Sequence, residues 1–303
     1  MKKTIFLIIV LILLSIVLIN KDYLYEKYKE IDTKINISKL QLPNKNIYYR
    51  DYDFNFVQNT DNFVPSNKQD LLNIIYTSIN SGENNIIFYC PTEYKECLND
   101  IDKIASDQEL LSNINNFVHP YNSFRNIETK YDSFNKVEIN LIKNYSEEQI
   151  KELNIKVDNL YEDLYDSNKS KRDNIKVFHD YIIDHTKYDE NRSKNGKTEY
   201  YSDIAYGSLI EGHALCGGYS DAMQLFLEKM GIKSYRISSD KHIWNAVYLN
   251  NTWYHLDLTW DDPITNTNSD YLSHDYFLIS TKKLSELNTE QHNFNKNIFS
   301  ELK

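Results

Sequence analysis

A cysteine followed directly by two glycines is the first feature of this 303-residue sequence whose residue types could do covalent chemistry. Cys216 lies in "EGHALCGGYSDAM", in a chain with only 7 glycines, most of them between positions 207 and 231. Apolar residues at helical spacing follow, and Gly231 stands where a left-handed residue commonly ends a helix. We therefore predict a helix that begins at Cys216, where exposed N–H groups and the helix dipole favour a thiolate.

Gly217 and Gly218 need a reason of their own, because each costs about 1 kcal/mol in a helix relative to alanine. Close approach of a substrate's acyl group to the thiolate is one explanation. A buried structural thiol at a tight helix start is the other, and this segment alone does not separate them.

A histidine and a carboxylate follow in "KHIWNAVYLNNTWYHLDLTW", whose Asn250-Asn251 dipeptide favours a type I′ hairpin turn. This turn sets His242 and Asp257 as diagonal neighbours on one face of the hairpin. With Cys216 they would supply the nucleophile, the base and the orienting group of a thiol enzyme. Asn245, on the other face, is a weaker candidate for the third group. The predicted register pairs Leu249 with Thr252, Trp244 with Asp257 and His242 with Thr259.

These motifs resemble the transglutaminase-like superfamily, a circularly rearranged relative of the papain-type thiol enzymes. The resemblance covers about Lys171 to Ile279, and "FHDYIIDHTKYDE" with "YYSDIAYGSLIEGHALCGGYS" looks like its exported bacterial branch. It implies that Cys216 is the nucleophile, His242 the general base and acid, and Asp257 the orienting carboxylate. It also implies Tyr206 and Gly217 as candidates for the oxyanion hole or site wall, beside the Cys216 N–H. Ile243 stands where alanine is commonest in the family.

We predict an extracytoplasmic enzyme that forms a thioester at Cys216 and passes the acyl group to an amine or to water, giving crosslinking or deamidation. A cysteine peptidase or amidase of the same fold is the alternative. A membrane-tethered binding or assembly protein without turnover is the alternative from another class. The expected substrate is a protein or peptide outside the cell, on its surface or in its wall.

Neither a cofactor nor a nucleic-acid partner is expected. A net charge of −10 and the lack of any RNP, zinc-finger or helix-turn-helix motif argue against nucleic-acid binding. A zinc set of His242, His255, Asp257 and His274 lacks HExxH or paired CxxC spacing. A calcium set of Asp261, Asp262 and Asp270 lacks EF-hand spacing, so no metal is expected.

The N-terminus has the pattern of an exported protein. Lys2 and Lys3 precede an apolar run from Thr4 to Ile19, which at ~1.5 Å per residue is slightly short for a ~30 Å bilayer core. No small-x-small cleavage site or lipid-attachment cysteine follows. We predict a single-pass signal anchor over residues 1–20 with the rest of the chain outside the cell membrane, or else a secreted protein after signal cleavage.

The fold class expected for the remainder is α+β. We predict a stalk at 21–45, a small α+β domain at 46–168, and a transglutaminase-like domain at 169–303 whose cysteine-bearing helix packs on an antiparallel sheet. In the first domain we expect strands at Ile47–Val57, "NNIIFYC" and "NKVEINLI". Helices should follow the capping pairs Ser66–Gln69 and Ser146–Gln149. Cys90 and Cys97 either form a disulfide or stay as two buried thiols.

Overall fold

The computed structural model describes residues 2–262, 272–287 and 290–302. It begins with two helices, α1 (Lys2–Ile19) and α2 (Lys21–Ile37). Among the described residues no single helix is long and apolar enough to cross a membrane, whereas the pair Ile5–Ile19 and Lys21–Ile37, bent by 71°, passes that test by length and composition. The single spanning helix expected over residues 1–20 is therefore not confirmed, and much of the expected stalk is helical.

The next part of the chain packs helices on a three-stranded antiparallel sheet of order β1-β3-β2. A short disulfide loop joins its first strand to the next helix, with the Cα atoms of Cys90 and Cys97 5.7 Å apart. Ser146 and Gln149 form the expected capping box at the start of the last helix. The elements are α3 (Lys68–Asn80), β1 (Asn85–Tyr89), α4 (Cys97–Ser106), α5 (Gln108–Asn116), β2 (Phe124–Tyr131), β3 (Lys136–Lys143) and α6 (Glu147–Leu164).

The strand expected at Ile47–Val57 is wrong, although the alternation that suggested it is real. Phe54 is buried and Phe56 is partly buried, while Asp51 and Asp53 are exposed. Side-chain amides form the hydrogen bonds to backbone N–H and C=O groups that a neighbouring strand would otherwise form. The amide of Asn80 bonds both the N–H and the C=O of Arg50, at 3.1 and 2.9 Å, and Asn59 donates to the same C=O.

The cap of α3 lies one residue later than the expected Ser66–Gln69 pair. The Asn67 side chain accepts from the Asp70 N–H at 3.1 Å. Ser66 instead donates to the Asp70 carboxylate through both its backbone N–H and its hydroxyl. A serine and an asparagine in succession are both good caps, so local spacing does not decide between them.

The rest of the chain contains a second three-stranded antiparallel sheet, of order β6-β7-β8, with α9 packed against β6 and β7. A separate parallel pair, β4 with β5, precedes α9. This mixed architecture with antiparallel sheets agrees with the predicted fold class. The elements are α7 (Lys171–His185), β4 (Lys187–Tyr188), α8 (Glu190–Asn195), β5 (His213–Ala214), α9 (Cys216–Lys229), β6 (Ser234–Ser238), β7 (Ile243–Leu249), β8 (Thr252–Leu256), α10 (Leu258–Asp261) and α11 (Thr281–Leu287).

Two hydrophobic clusters stabilise the molecule, and each draws residues from both sides of position 168. In the first, Tyr235 of β6 meets the rings of Phe54 and Phe117 at 5.3 and 5.0 Å. In the second, Phe178 of α7 and Phe226 of α9 stack at 4.4 Å beside the buried side chains of α6. Both hydrophobic clusters therefore extend across the predicted domain boundary at position 168.

Candidate active site

Helix α9 begins at Cys216, as the spacing predicted. The preceding residue, Leu215, is extended and donates its N–H to the Ser202 carbonyl at 2.8 Å, while its own carbonyl accepts the first helical bond, from Tyr219. Gly231 ends the helix with φ +63°. Cys216 is partly exposed and is the free cysteine of the chain, because Cys90 and Cys97 are joined. The thiol therefore lies in the first turn of a 14-residue helix.

The glycines after Cys216 are required by packing within the chain. A Cβ atom at Gly217 would lie 2.7 Å from the carbonyl oxygen of Asp203, and one at Gly218 would lie 2.5 Å from that of Ser202. Real Cβ atoms do not approach this closely. The loop before the helix occupies the space next to both Cα atoms, so packing within the chain requires glycine at each position.

The hairpin forms at Asn250-Asn251 with φ values of 51° and 62°, as a type I′ turn requires. Its register runs from the Leu249–Thr252 pair to the Asn245–Leu256 pair. The ladder ends there, so the two pairs predicted beyond it, Trp244 with Asp257 and His242 with Thr259, are wrong. The Asp257 N–H turns away to the carbonyl of Tyr276, at 3.3 Å.

Asp257 becomes the N-cap of α10 and reaches His242 from that position. Its Oδ1 accepts the N–H groups of Thr259 and Trp260 at 3.0 and 3.2 Å. Its Oδ2 lies 2.5 Å from His242 Nε2. The structure therefore joins the histidine and the carboxylate that the sequence placed together, but through a helix cap and not through continued strand pairing.

The electrostatics of this pair favour the charged forms. Burial alone would lower the pKa of His242, but the Asp257 charge, its hydrogen bond and a further hydrogen bond to Cys216 raise that pKa to about 10. Burial likewise disfavours an ionised Asp257, yet the charges and hydrogen bonds of His242 and His292 hold the pKa of this carboxyl below its usual value. The site thus favours an imidazolium between a carboxylate and the thiol.

His292 is a member of the site that no sequence pattern identifies. It lies in a 3-10 turn, Glu290–His292, and its Nε2 is 2.8 Å from the same Asp257 Oδ2. A single histidine in the polar segment "NTEQHNF" has neither motif spacing nor periodicity to mark it. Its contact with Asp257 spans 35 residues and depends on tertiary packing alone.

Aromatic rings enclose the histidine that faces the thiol. Trp244 stacks on His242 with centroids 5.5 Å apart and planes 15° apart, and Trp260 meets it edge-on at 6.5 Å. Trp244 also donates its indole N–H to Nδ1 of buried His255 at 3.0 Å. Burial, followed by the charge of His292, lowers the pKa of His255 to about 3, so His255 is neutral. These rings limit the tilt of His242.

A cleft of about 630 Å³ opens at Cys216 and His242. One side comes from α5 of the upstream part, which is fixed to the sheet because Asn116 donates to the Ser238 hydroxyl at 2.8 Å. Asn293 and Asn295, in the segment after His292, also contribute to the lining. Most of the lining residues have polar side chains; they are Gln108, Glu109, Ser112, Asn113, Cys216, Ser238, Ser239, Asp240, Lys241, His242, Ile243, Asn293 and Asn295.

Two other candidates point elsewhere. The Tyr206 hydroxyl donates to the Glu152 carboxylate at 2.7 Å on the surface, and Tyr206 is not among the described residues that line the cleft. The buried side chain of Asn245 donates to the carbonyl of Ser220 in α9, at 3.0 Å. In this structure the Tyr206 hydroxyl is thus engaged by Glu152, and Asn245 ties the sheet to the helix.

Within the described residues, two clusters have donor atoms close enough together for a metal ion: His179, Asp180 and His274, and His242, Asp257 and His292. In the first cluster, Asp180 Oδ1 lies within 2.8 Å of one ring nitrogen of each histidine. In the second cluster, Asp257 Oδ2 does the same. His274 bonds Asp180, and His255 bonds Trp244 and Thr281, so the zinc set considered on sequence does not assemble. Of the calcium set, Asp270 lies outside the described residues.

Comparison with known proteins agrees with the resemblance seen in the motifs. Residues 158–258 match the family model of the transglutaminase-like superfamily, which confirms the resemblance for this segment. No curated protein is significantly similar to the sequence.

Two solved structures are similar over part of their length. One is described as a TGase, with 18% identity over 51% of this chain and 49% of that one, and a TM-score of 0.36. The other is described as a "Putative Cysteine Protease from Cytophaga hutchinsonii", with 11% identity over 44% of this chain and 61% of that one, and a TM-score of 0.28. This chain thus spans about half the length of the first structure.

Proposed function

We propose that this chain is a thiol acyl-transfer enzyme in which Cys216 is the nucleophile, His242 the base and acid, and Asp257 the orienting carboxylate. The observation that carries the proposal is the 2.5 Å contact of Asp257 Oδ2 with His242 Nε2, on a histidine that also hydrogen-bonds Cys216. A carboxylate accepts hydrogen bonds only, so the His242 nitrogen that faces Asp257 must carry a proton. The other nitrogen is left to exchange a proton with the thiol.

The reaction follows from these positions. The Cys216 thiolate attacks the carbonyl carbon of a carboxamide or peptide, and the imidazolium of His242 gives its proton to the departing amine. A thioester forms as the C–N bond breaks. An amine or a water molecule then attacks the thioester, His242 takes up the proton of the attacking group, and the thiolate leaves. The Cys216 N–H at the helix start is the first candidate donor to the oxyanion.

The side chains that line the cleft are compatible with either water or an amine as the acceptor of the acyl group. Of its described lining residues, only Ile243 has an aliphatic side chain, so water and amines both have polar surface along which to enter. We therefore include hydrolysis, as a peptidase or amidase, alongside transfer to an amine. Glu109 and its neighbours on α5 give the upstream part of the chain a role in substrate recognition.

We further propose that the enzyme acts outside the cell on a protein or peptide of the surface or wall, held to the membrane by its N-terminal helices. The disulfide of Cys90 and Cys97 supports this placement, because disulfides persist in oxidising compartments. The apolar composition of the bent N-terminal pair supports it as well. Protease treatment of intact cells should cleave the α5–α6 region; full protection until the cells are lysed would contradict this topology.

The test of the reaction uses the full chain in detergent micelles, a library of glutamine-containing peptides and a primary-amine reporter. Mass spectrometry should show a thioester at Cys216 and separate crosslinked, deamidated and cleaved peptides. Cys216→Ala should abolish every product, while Tyr206→Phe, a conservative change outside the cleft, should leave them. If the native chain yielded neither a thioester nor a product, the proposal of an acyl-transfer enzyme would be rejected, and the alternative of a binding or assembly protein without turnover would be favoured.

A further inference from the structure

His292 is held in a fixed orientation beneath the candidate triad. Its ring stacks on Tyr276 with centroids 5.1 Å apart and planes 15° apart. Trp244 and Trp260 meet it at 5.0 and 5.1 Å from other directions. These contacts leave the buried ring little freedom to turn, and they direct its Nε2 at Asp257 Oδ2 over 2.8 Å.

The Asp257 carboxylate is consequently held at both oxygens. Two backbone N–H groups reach Oδ1, and the two histidines His242 and His292 reach Oδ2. Because an ionised carboxylate only accepts, His292 must donate from Nε2, as His242 does. Backbone donors alone fix one oxygen; the bond from His292 restricts rotation of the other, which is the oxygen that contacts His242.

The segment that supplies His292 is also attached to the loop that supplies His242. Ser239 donates its hydroxyl proton to the Gln291 carbonyl at 2.6 Å and forms a β-bridge with Phe294. The Ser239 N–H donates to the His242 carbonyl at 2.9 Å. The two histidines therefore approach Asp257 from segments that are hydrogen-bonded to each other.

We propose that His292 is a positioning residue of this site, which fixes the Asp257 carboxylate against His242 through a second hydrogen bond to Oδ2. The inference rests on the proposed function, in which His242 acts with Cys216. His292 is too deeply enclosed to touch a substrate, so it acts through Asp257. If the Asp257 carboxylate is not held in this orientation, it stabilises the imidazolium of His242 less well. The Cys216 thiolate, which is paired with that imidazolium, then forms less readily.

Titratable groups from four segments of the chain surround His292. Asp257 and His242 face its ring directly, His255 of β8 interacts with its charge, and Tyr276 lies against its face. A pH profile of the thiol therefore reports the whole cluster. Matched variants are needed to isolate the hydrogen bond.

The experiment compares His292→Gln with His292→Phe in the full chain, using the pH dependence of Cys216 alkylation by iodoacetamide. Glutamine keeps an N–H donor near the Nε2 position but has no ring, whereas phenylalanine keeps the ring and has no donor. In the phenylalanine variant we expect alkylation near pH 7 to slow by about tenfold and its acidic limb to move to higher pH, because a smaller fraction of the thiol is ionised. The glutamine variant should stay close to the native profile.

A purely structural role predicts the reverse order, because it needs the ring and not the donor. A native profile in a folded His292→Phe protein, or an equal change in both variants, would overturn the proposal. The same substitutions at His185, which contacts the Leu209 carbonyl outside the site, should leave the profile unchanged. Alkylation needs no acyl substrate. A product assay that detects no acyl transfer would therefore reject the proposed reaction but would leave the positioning role of His292 to be decided by the alkylation profiles.

Discussion

The ion pair of His242 and Asp257 predicts a pH dependence of stability that one substitution should remove. The pKa of His242 is raised from 6.5 to about 10 in the folded protein, so the folded state binds more protons than the unfolded state between these values. The free energy of unfolding therefore falls with rising pH over this range. The stabilisation is complete below about pH 6.5 and is lost as the pH passes the folded pKa.

The magnitude follows from the size of the shift. At ~1.36 kcal/mol per pKa unit, the change from 6.5 to about 10 corresponds to at most about 5 kcal/mol. The lowered pKa of Asp257 describes the same interaction and adds nothing to this figure. Part of the shift comes from Cys216, so we expect Asp257→Asn to remove a few kcal/mol of pH-dependent stability.

The assay is denaturant unfolding at steps from pH 6 to 10, followed by tryptophan fluorescence. It suits this site because two of the chain's three tryptophans, Trp244 and Trp260, lie against His242. Cys216→Ser in both backgrounds removes the titration of the thiol itself. If the native protein and the Asp257→Asn variant lost stability in parallel, the carboxylate would not hold the imidazolium and the reasoning would be refuted.

Two further substitutions test the surroundings of the thiol. Gly218→Ala should destabilise the fold by about 1–3 kcal/mol through overpacking, since its Cβ would lie 2.5 Å from the Ser202 carbonyl oxygen. Thermal melting measures this change. A gain in stability would show that the ordinary helix preference for alanine outweighs the overpacking. Tyr206→Phe should change the acylation rate of Cys216 by less than about twofold, because its hydroxyl bonds Glu152 at the surface. A hundredfold loss, typical of a missing oxyanion donor, would restore the role that the sequence suggested.

The sequence by itself determined the features that depend on short separations. The helix from Cys216 to Lys229, its end at Gly231 and the capping box at Ser146 all follow from local spacing and capping chemistry. The turn at Asn250-Asn251 fixes the hairpin register, because backbone conformation at the turn sets every pair that follows. That register places His242 and Asp257 at the same end of the hairpin, although their contact is made through the cap of α10.

Tertiary packing decided the rest. Asp257 leaves the ladder to cap α10, His292 reaches it from 35 residues away, and α5 supplies one side of the cleft. The reason for Gly217 and Gly218 also lies outside their segment, in carbonyl groups of a preceding loop. Contacts of this kind depend on how whole elements pack, and the residue types at either end carry no local signal of their partner. Spacing along the chain could therefore propose a nucleophile, a base and a carboxylate, but not the residues that hold them in place.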